Sequence, residues 1–111
     1  MRLLFTFLIM CYAILIANAQ PTLADDSSLD AGERIFTANC AACHAGGNNA
    51  IMPQKTLKQD ALEENEMNSI TAITTQVKNG KNAMPAFGGR LADDEIENVA
   101  SYVLNQSKNG W

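Results

Sequence analysis

The sequence predicts an all-α domain of about four helices, and three observations carry that expectation. Apolar residues recur at spacings of three and four in several stretches. No stretch alternates apolar and polar residues at period two, so no strand is expected. The helices also flank one chemically specific pentapeptide, Cys40-Ala41-Ala42-Cys43-His44, which is the C-x-x-C-H pattern of covalent haem attachment.

The elements follow in order. Arg2 and the apolar run Leu3 to Ala17, interrupted only by Thr6, Cys11 and Tyr12, read as a signal peptide. Its fifteen residues are short for a membrane span, which needs about 20. Small-residue cleavage sites stand at Ala17-Asn18-Ala19 and Thr22-Leu23-Ala24; cutting after Ala24 places Asp25-Asp26 at the start of the mature domain, 25–111. An uncleaved anchor is the bland alternative, and Cys11 after Met10 lacks the small residue that lipoprotein processing prefers. From Ser28, a candidate N-cap, a first helix runs to about Asn39 with Leu29, Gly32, Ile35 and Phe36 on one face. Gly32 there is either a point of close helix approach or simply a weak spot.

After the pentapeptide, the glycines and asparagines of Ala45 to Pro53 predict an irregular loop. Leu57 to about Asn65 reads as a short helix with Glu63, Glu64 and Glu66 towards solvent. Asn68 is the expected cap of a third helix striped by Ile70, Ile73 and Val77, ended by Gly80 and with Lys78 complementing its dipole. A second loop spans Lys81 to Arg90. In the last helix Asp93, Asp94 and Glu95 load the first turn, and Ile96, Val99, Ala100, Val103 and Leu104 make the inner face.

The pentapeptide needs each of its parts. Two thiols add to the two vinyl groups of one porphyrin, the two-residue spacer sets their separation, and the adjacent histidine presents a ring nitrogen to the iron. Three other readings compete. A structural zinc site wants four Cys or His ligands, but His44 is the only histidine and Cys11 lies in the segment expected to be removed. A thioredoxin-like pair needs a βαβ setting. A plain disulfide fits the spacing and leaves His44 without a role.

Composition narrows the partners. Removing 24 of the 111 residues leaves 87, a small core to which a haem would add a large apolar slab. Seven Lys and Arg then face twelve Asp and Glu, a formal balance of −5. That argues against nucleic acid and suits electrostatically steered encounter with a basic protein surface.

A second axial ligand would come from Met52, Met67 or Met84. Met52 is only eight residues from His44, a short reach around a porphyrin edge, and Met67 lies near a helix start, where packing is the expected role. Met84 follows His44 by forty residues, in a loop stiffened by Pro85, and is the candidate distal ligand. A haem with histidine and methionine on its two faces has no open position; neutral thioether sulfur favours ferrous iron and raises the potential. This describes an electron carrier and not an enzyme.

The wording Asn39-Cys40-Ala41-Ala42-Cys43-His44-Ala45-Gly46-Gly47, the run Gly47-Asn48-Asn49-Ala50-Ile51-Met52-Pro53, the run Val77 to Gly89 around Met84, and Tyr102-Val103-Leu104 together resemble the cytochrome c6 family. The resemblance spans about Leu29 to Trp111. It implies a class I cytochrome c fold, one haem c attached through Cys40 and Cys43, His44 as proximal ligand and Met84 as distal ligand. It further implies a soluble carrier in the thylakoid lumen of a cyanobacterium or an algal plastid. There it would take electrons from the cytochrome b6f complex and give them to photosystem I, with a terminal oxidase as an alternative acceptor. Gln76 matches a family glutamine that tunes the haem potential, against a bland surface role; Lys55 is placed near a haem propionate, and Arg90 near partners. A haem enzyme or gas sensor with an open iron is the rival class.

Overall fold

Among the described residues, 26–111 of a computed structural model, Gly32 decides how the two longest helices meet. Helix α1 (Asp26–Asn39) crosses the last helix at Gly32, where a Cβ would overlap the Asn98 carbonyl oxygen and lie 2.8 Å from the Tyr102 Cβ. Gly32 is therefore the point of close approach, as one reading of the sequence held. The signal segment 1–24 and its cleavage lie outside the described residues.

After α1 come α2 (Ala41–His44), a 3-10 turn (Ala45–Gly47), α3 (Gln59–Glu64), α4 (Ile70–Asn79) and α5 (Asp93–Asn109). The all-α expectation holds among the described residues, whose sole pairing of extended type is the bridge between Lys81 and Met84. The count exceeds the expected four because helical bonding resumes beyond Asn39. The Cys40 amide donates to the Phe36 carbonyl, and the His44 amide donates to the Cys40 carbonyl, turning the pentapeptide itself into one helical turn.

Four further details differ from the sequence reading. Ser28 lies inside α1, which is described from Asp26. The 45–53 loop begins with a 3-10 turn, Gly46 and Gly47 taking φ of 64° and 76°. Helix α3 starts at Gln59 and not at Leu57, because the Leu57 amide is engaged by the Gly47 carbonyl and Lys58 is extended. Helix α4 is capped by Ser69, whose Oγ accepts the Ala72 amide at 3.0 Å, so Asn68 stands one residue outside.

The core gathers Phe36, Leu62, Ile73, Val77 and Phe87 against the inner face of α5. Ile96 and Val99 are fully buried there, each stabilising the fold by about 1.5–3 kcal/mol relative to exposure. Ile70, expected in the α4 stripe, is exposed at the first position of that helix, where a side chain leans back toward the helix start. At the start of α5 the Glu95 carboxylate accepts the Ala92 amide at 3.0 Å, so one donor at the helix start is satisfied.

Candidate functional site

The last turn of α1 delivers Cys40 into α2, and spacings of three and four along one turn put both thiols and His44 on the same side. Cys40 and Cys43 are free, half-buried thiols. Burial pushes the Cys40 thiol up to about 11, so the group is neutral at physiological pH. Among the described residues no group of three or more His, Cys, Asp or Glu is placed to hold a metal ion, so the zinc reading has no ligand set.

His44 Nδ1 lies 2.9 Å from the Asn48 carbonyl oxygen. A carbonyl only accepts, so Nδ1 carries the proton and Nε2 is left with its lone pair, the tautomer a metal ligand needs. The Asn48 amide in turn donates to the Ala45 carbonyl at 3.2 Å, which anchors the acceptor.

A cavity of about 260 Å³ opens beside this turn, and Cys40, Cys43, His44, Lys55, Gln76 and Met84 all line it. The structure thus brings these six residues together, over 44 positions of chain from Cys40 to Met84. Arg90 is not among the lining residues; its guanidinium stacks 5.7 Å from the centre of the Phe87 ring on an exposed surface.

Met52 and Met67 line the cavity as well, so position alone does not choose between the thioethers. Met84 differs in having a polar group at its sulfur. The Gln76 amide nitrogen donates to Met84 Sδ at 3.7 Å, a bond within α4's reach because Gln76 is in its last two turns. The Met84 loop is stitched in place. Lys81 and Met84 exchange two main-chain hydrogen bonds at 3.0 Å, Phe87 donates to Val77, and Gly88 donates to Lys78. Gly80, at φ 69°, lets that loop fold back, since a Cβ there would lie 2.6 Å from the Met84 carbonyl oxygen.

The donor set therefore fits a haem: two unpaired thiols, a histidine in the ligand tautomer, a fixed thioether and an apolar cradle between them. Two contacts beside the site were not visible from the sequence. Asn48 acts through its main chain, which no residue type signals. Trp111 packs on Gly47 and donates from Nε1 to the Leu57 carbonyl at 3.0 Å, a contact across 54 residues.

Residues 27–103 match the family model described as cytochrome c oxidase, cbb3-type, subunit III. Cytochrome c6 of Gracilaria tenuistipitata var. liui is 74% identical over 111 residues, all of both chains. The chain belongs to the cytochrome c6 family. Cytochrome c6 of Bumilleriopsis filiformis is 73% identical over 85 residues, covering 77% of this chain and 99% of its own. The solved cytochrome c6 of the diatom Phaeodactylum tricornutum superposes with a TM-score of 0.73 at 59% identity, covering 75% of this chain and 98% of that one. Membership carries with it one covalently bound haem c, the class I cytochrome c fold and electron transport. No helix among the described residues is long and apolar enough to cross a membrane.

Proposed function

We propose that this chain shuttles single electrons from the cytochrome b6f complex to photosystem I in the thylakoid lumen, without acting as an enzyme. In this reading Cys40 and Cys43 would attach the haem covalently through their sulfurs, and His44 Nε2 and Met84 Sδ would hold its iron. Gln76 adjusts the potential through the Met84 sulfur, and Lys55 faces a propionate. When bound, the haem iron supplies a one-electron couple. The protein's own residues do the rest: the Asn48 carbonyl orients the histidine, the stitched 81–88 loop presents the methionine, and the apolar lining keeps water away.

The observation that carries this reading is the pairing of two tuned donors on one cavity: His44 with its Nδ1 proton on Asn48, and Met84 with its sulfur on Gln76. Donors held by such contacts rearrange little when an electron moves. The mature domain begins after Ala24 in this reading. The acidic balance favours basic docking surfaces on the partners.

Optical spectra of the holoprotein, with and without carbon monoxide, are the first test. A reduced c-type spectrum indifferent to carbon monoxide, with the weak methionine–iron band when oxidised, is expected; ready carbon monoxide binding would bring forward the enzyme or sensor reading. Flash-oxidised photosystem I should then be re-reduced at a rate that rises with added holoprotein and depends on salt. Failure to reduce it would move the acceptor elsewhere. A terminal oxidase is the second acceptor to try, because the matching family model is described from an oxidase subunit.

A further inference from the structure

The loop from Gly47 to Leu57 carries three parts of the site: the Asn48 carbonyl on His44, and Met52 and Lys55 on the cavity. Inside, it is one hydrogen-bonded body. Asn49 Oδ1 accepts the Ile51 and Met52 amides at 3.0 and 2.8 Å, and Asn49 Nδ2 donates to the Lys55 carbonyl at 3.0 Å. The Ala50 amide donates to the Cys43 carbonyl at 2.9 Å. Such a body moves about its ends, and its ends meet: the Leu57 amide donates to the Gly47 carbonyl at 2.7 Å.

Trp111 sits on that closure. Its ring lies over Gly47 so closely that any Cβ there would overlap ring carbons, and its Nε1 donates to the Leu57 carbonyl at 3.0 Å. Two aromatic neighbours hold the ring in turn, Phe36 of α1 at 5.3 Å and Tyr102 of α5 edge-on at 6.0 Å. One side chain thereby joins both ends of the loop to both long helices.

We propose that Trp111 is a positioning residue for the haem site, clamping the closed ends of the 47–57 loop against α1 and α5 and so keeping the Asn48 carbonyl on the His44 imidazole. The second half rests on the reading of His44 as an iron ligand; the clamp itself does not. A carbonyl that engages Nδ1–H makes Nε2 a more basic donor, which favours ferric iron. Loosening the clamp raises the potential.

The test uses the reduced holoprotein as wild type, Trp111→Phe and Trp111→Ala, followed by NMR hydrogen exchange and by potential. In Trp111→Ala the amides of Ala50 and Leu57 and the Nδ1 proton of His44 should exchange about ten-fold faster or more, while the Val77 amide of α4 keeps its wild-type rate. Phe keeps the ring packing and loses the Nε1 bond, so it should give a smaller acceleration at the same three sites, with the potential rising in the same order. Unchanged exchange at those sites in both variants overturns the proposal. So does equal acceleration at Val77, which would make Trp111 ordinary packing. Should Trp111→Ala fail to fold, the Phe variant decides by the same pattern. A wild type without a protected His44 Nδ1 proton would remove the ligand half, leaving the clamp to be judged on Ala50 and Leu57.

Discussion

Replacing Gln76 with valine tests the chemistry of the distal side most directly. The Gln76 amide directs the positive end of its N–H dipole at Met84 Sδ from 3.7 Å. With that sulfur on the iron, as proposed above, the dipole opposes the extra positive charge of the ferric state and raises the potential. A neutral hydrogen bond is worth about 0.5–1.5 kcal/mol net, and about 59 mV corresponds to a tenfold change, roughly 1.4 kcal/mol, in a one-electron equilibrium. Gln76→Val should therefore lower the potential by about 20–60 mV. Spectroelectrochemical titration of both holoproteins measures it, with the methionine–iron band monitored to show that Met84 stays bound. Gln76 lies in the last two turns of α4 and is half-buried, so valine should fit without refolding the helix. An unchanged or higher potential with the band intact would refute the argument that this contact tunes the iron.

Other perturbations reach different parts of the molecule. Met84→Ala should retain covalent haem on a denaturing gel, lower the potential and open the iron to carbon monoxide; an unchanged spectrum would place the distal ligand elsewhere. Gly32→Ala would raise intrinsic helix propensity by about 1 kcal/mol, yet its Cβ would press on Asn98 and Tyr102, an overpacking cost of about 1–3 kcal/mol. A net loss in denaturant unfolding is expected, and a gain would deny the close crossing. Tyr102 has its phenol raised above its usual 10, first by burial and then by the Glu33 carboxylate. The unfolded chain therefore ionises first, and the stabilisation present below pH 10 is lost as pH rises through the folded value. Denaturant midpoints should fall less steeply above that pH in Tyr102→Phe.

What could be read from the chain divides along physical lines. Cys40, Cys43, His44 and Met84 were singled out by residue type and spacing, and Gln76 and Lys55 by the family resemblance; all six line the cavity. The inner face of α5 was legible because its period matches the helix, and Ile96, Val99, Ala100 and Val103 are buried as expected. Boundaries were less so. Asn68 and Ser69 are equally good caps by type, and only the Ser69 hydroxyl reaching the Ala72 amide decides between them. Leu57 carries a helical pattern, but its amide and carbonyl are taken by Gly47 and Trp111, so a long-range contact overrides a local preference.

The same division separates the two faces of the proposed haem site. The Met84 loop is held by residues eight to ten positions away: Gln76 on the sulfur, Val77 receiving Phe87, Lys78 receiving Gly88. Its fixation is local, and sequence around Met84 is enough to suggest it. The His44 side is held by a main-chain carbonyl within a loop whose ends are joined by an indole 54 residues from Leu57. No pattern near His44 encodes that. Substitutions near Met84 should accordingly act through the distal ligand alone. In that proposal His44 is sensitive to changes at Phe36, Tyr102 and Trp111, of which Tyr102 and Trp111 are remote in sequence from the pentapeptide and its loop. With His44 and Met84 as the proposed ligands, short-range stitching would hold one of them in both oxidation states and the packing of the two longest helices the other.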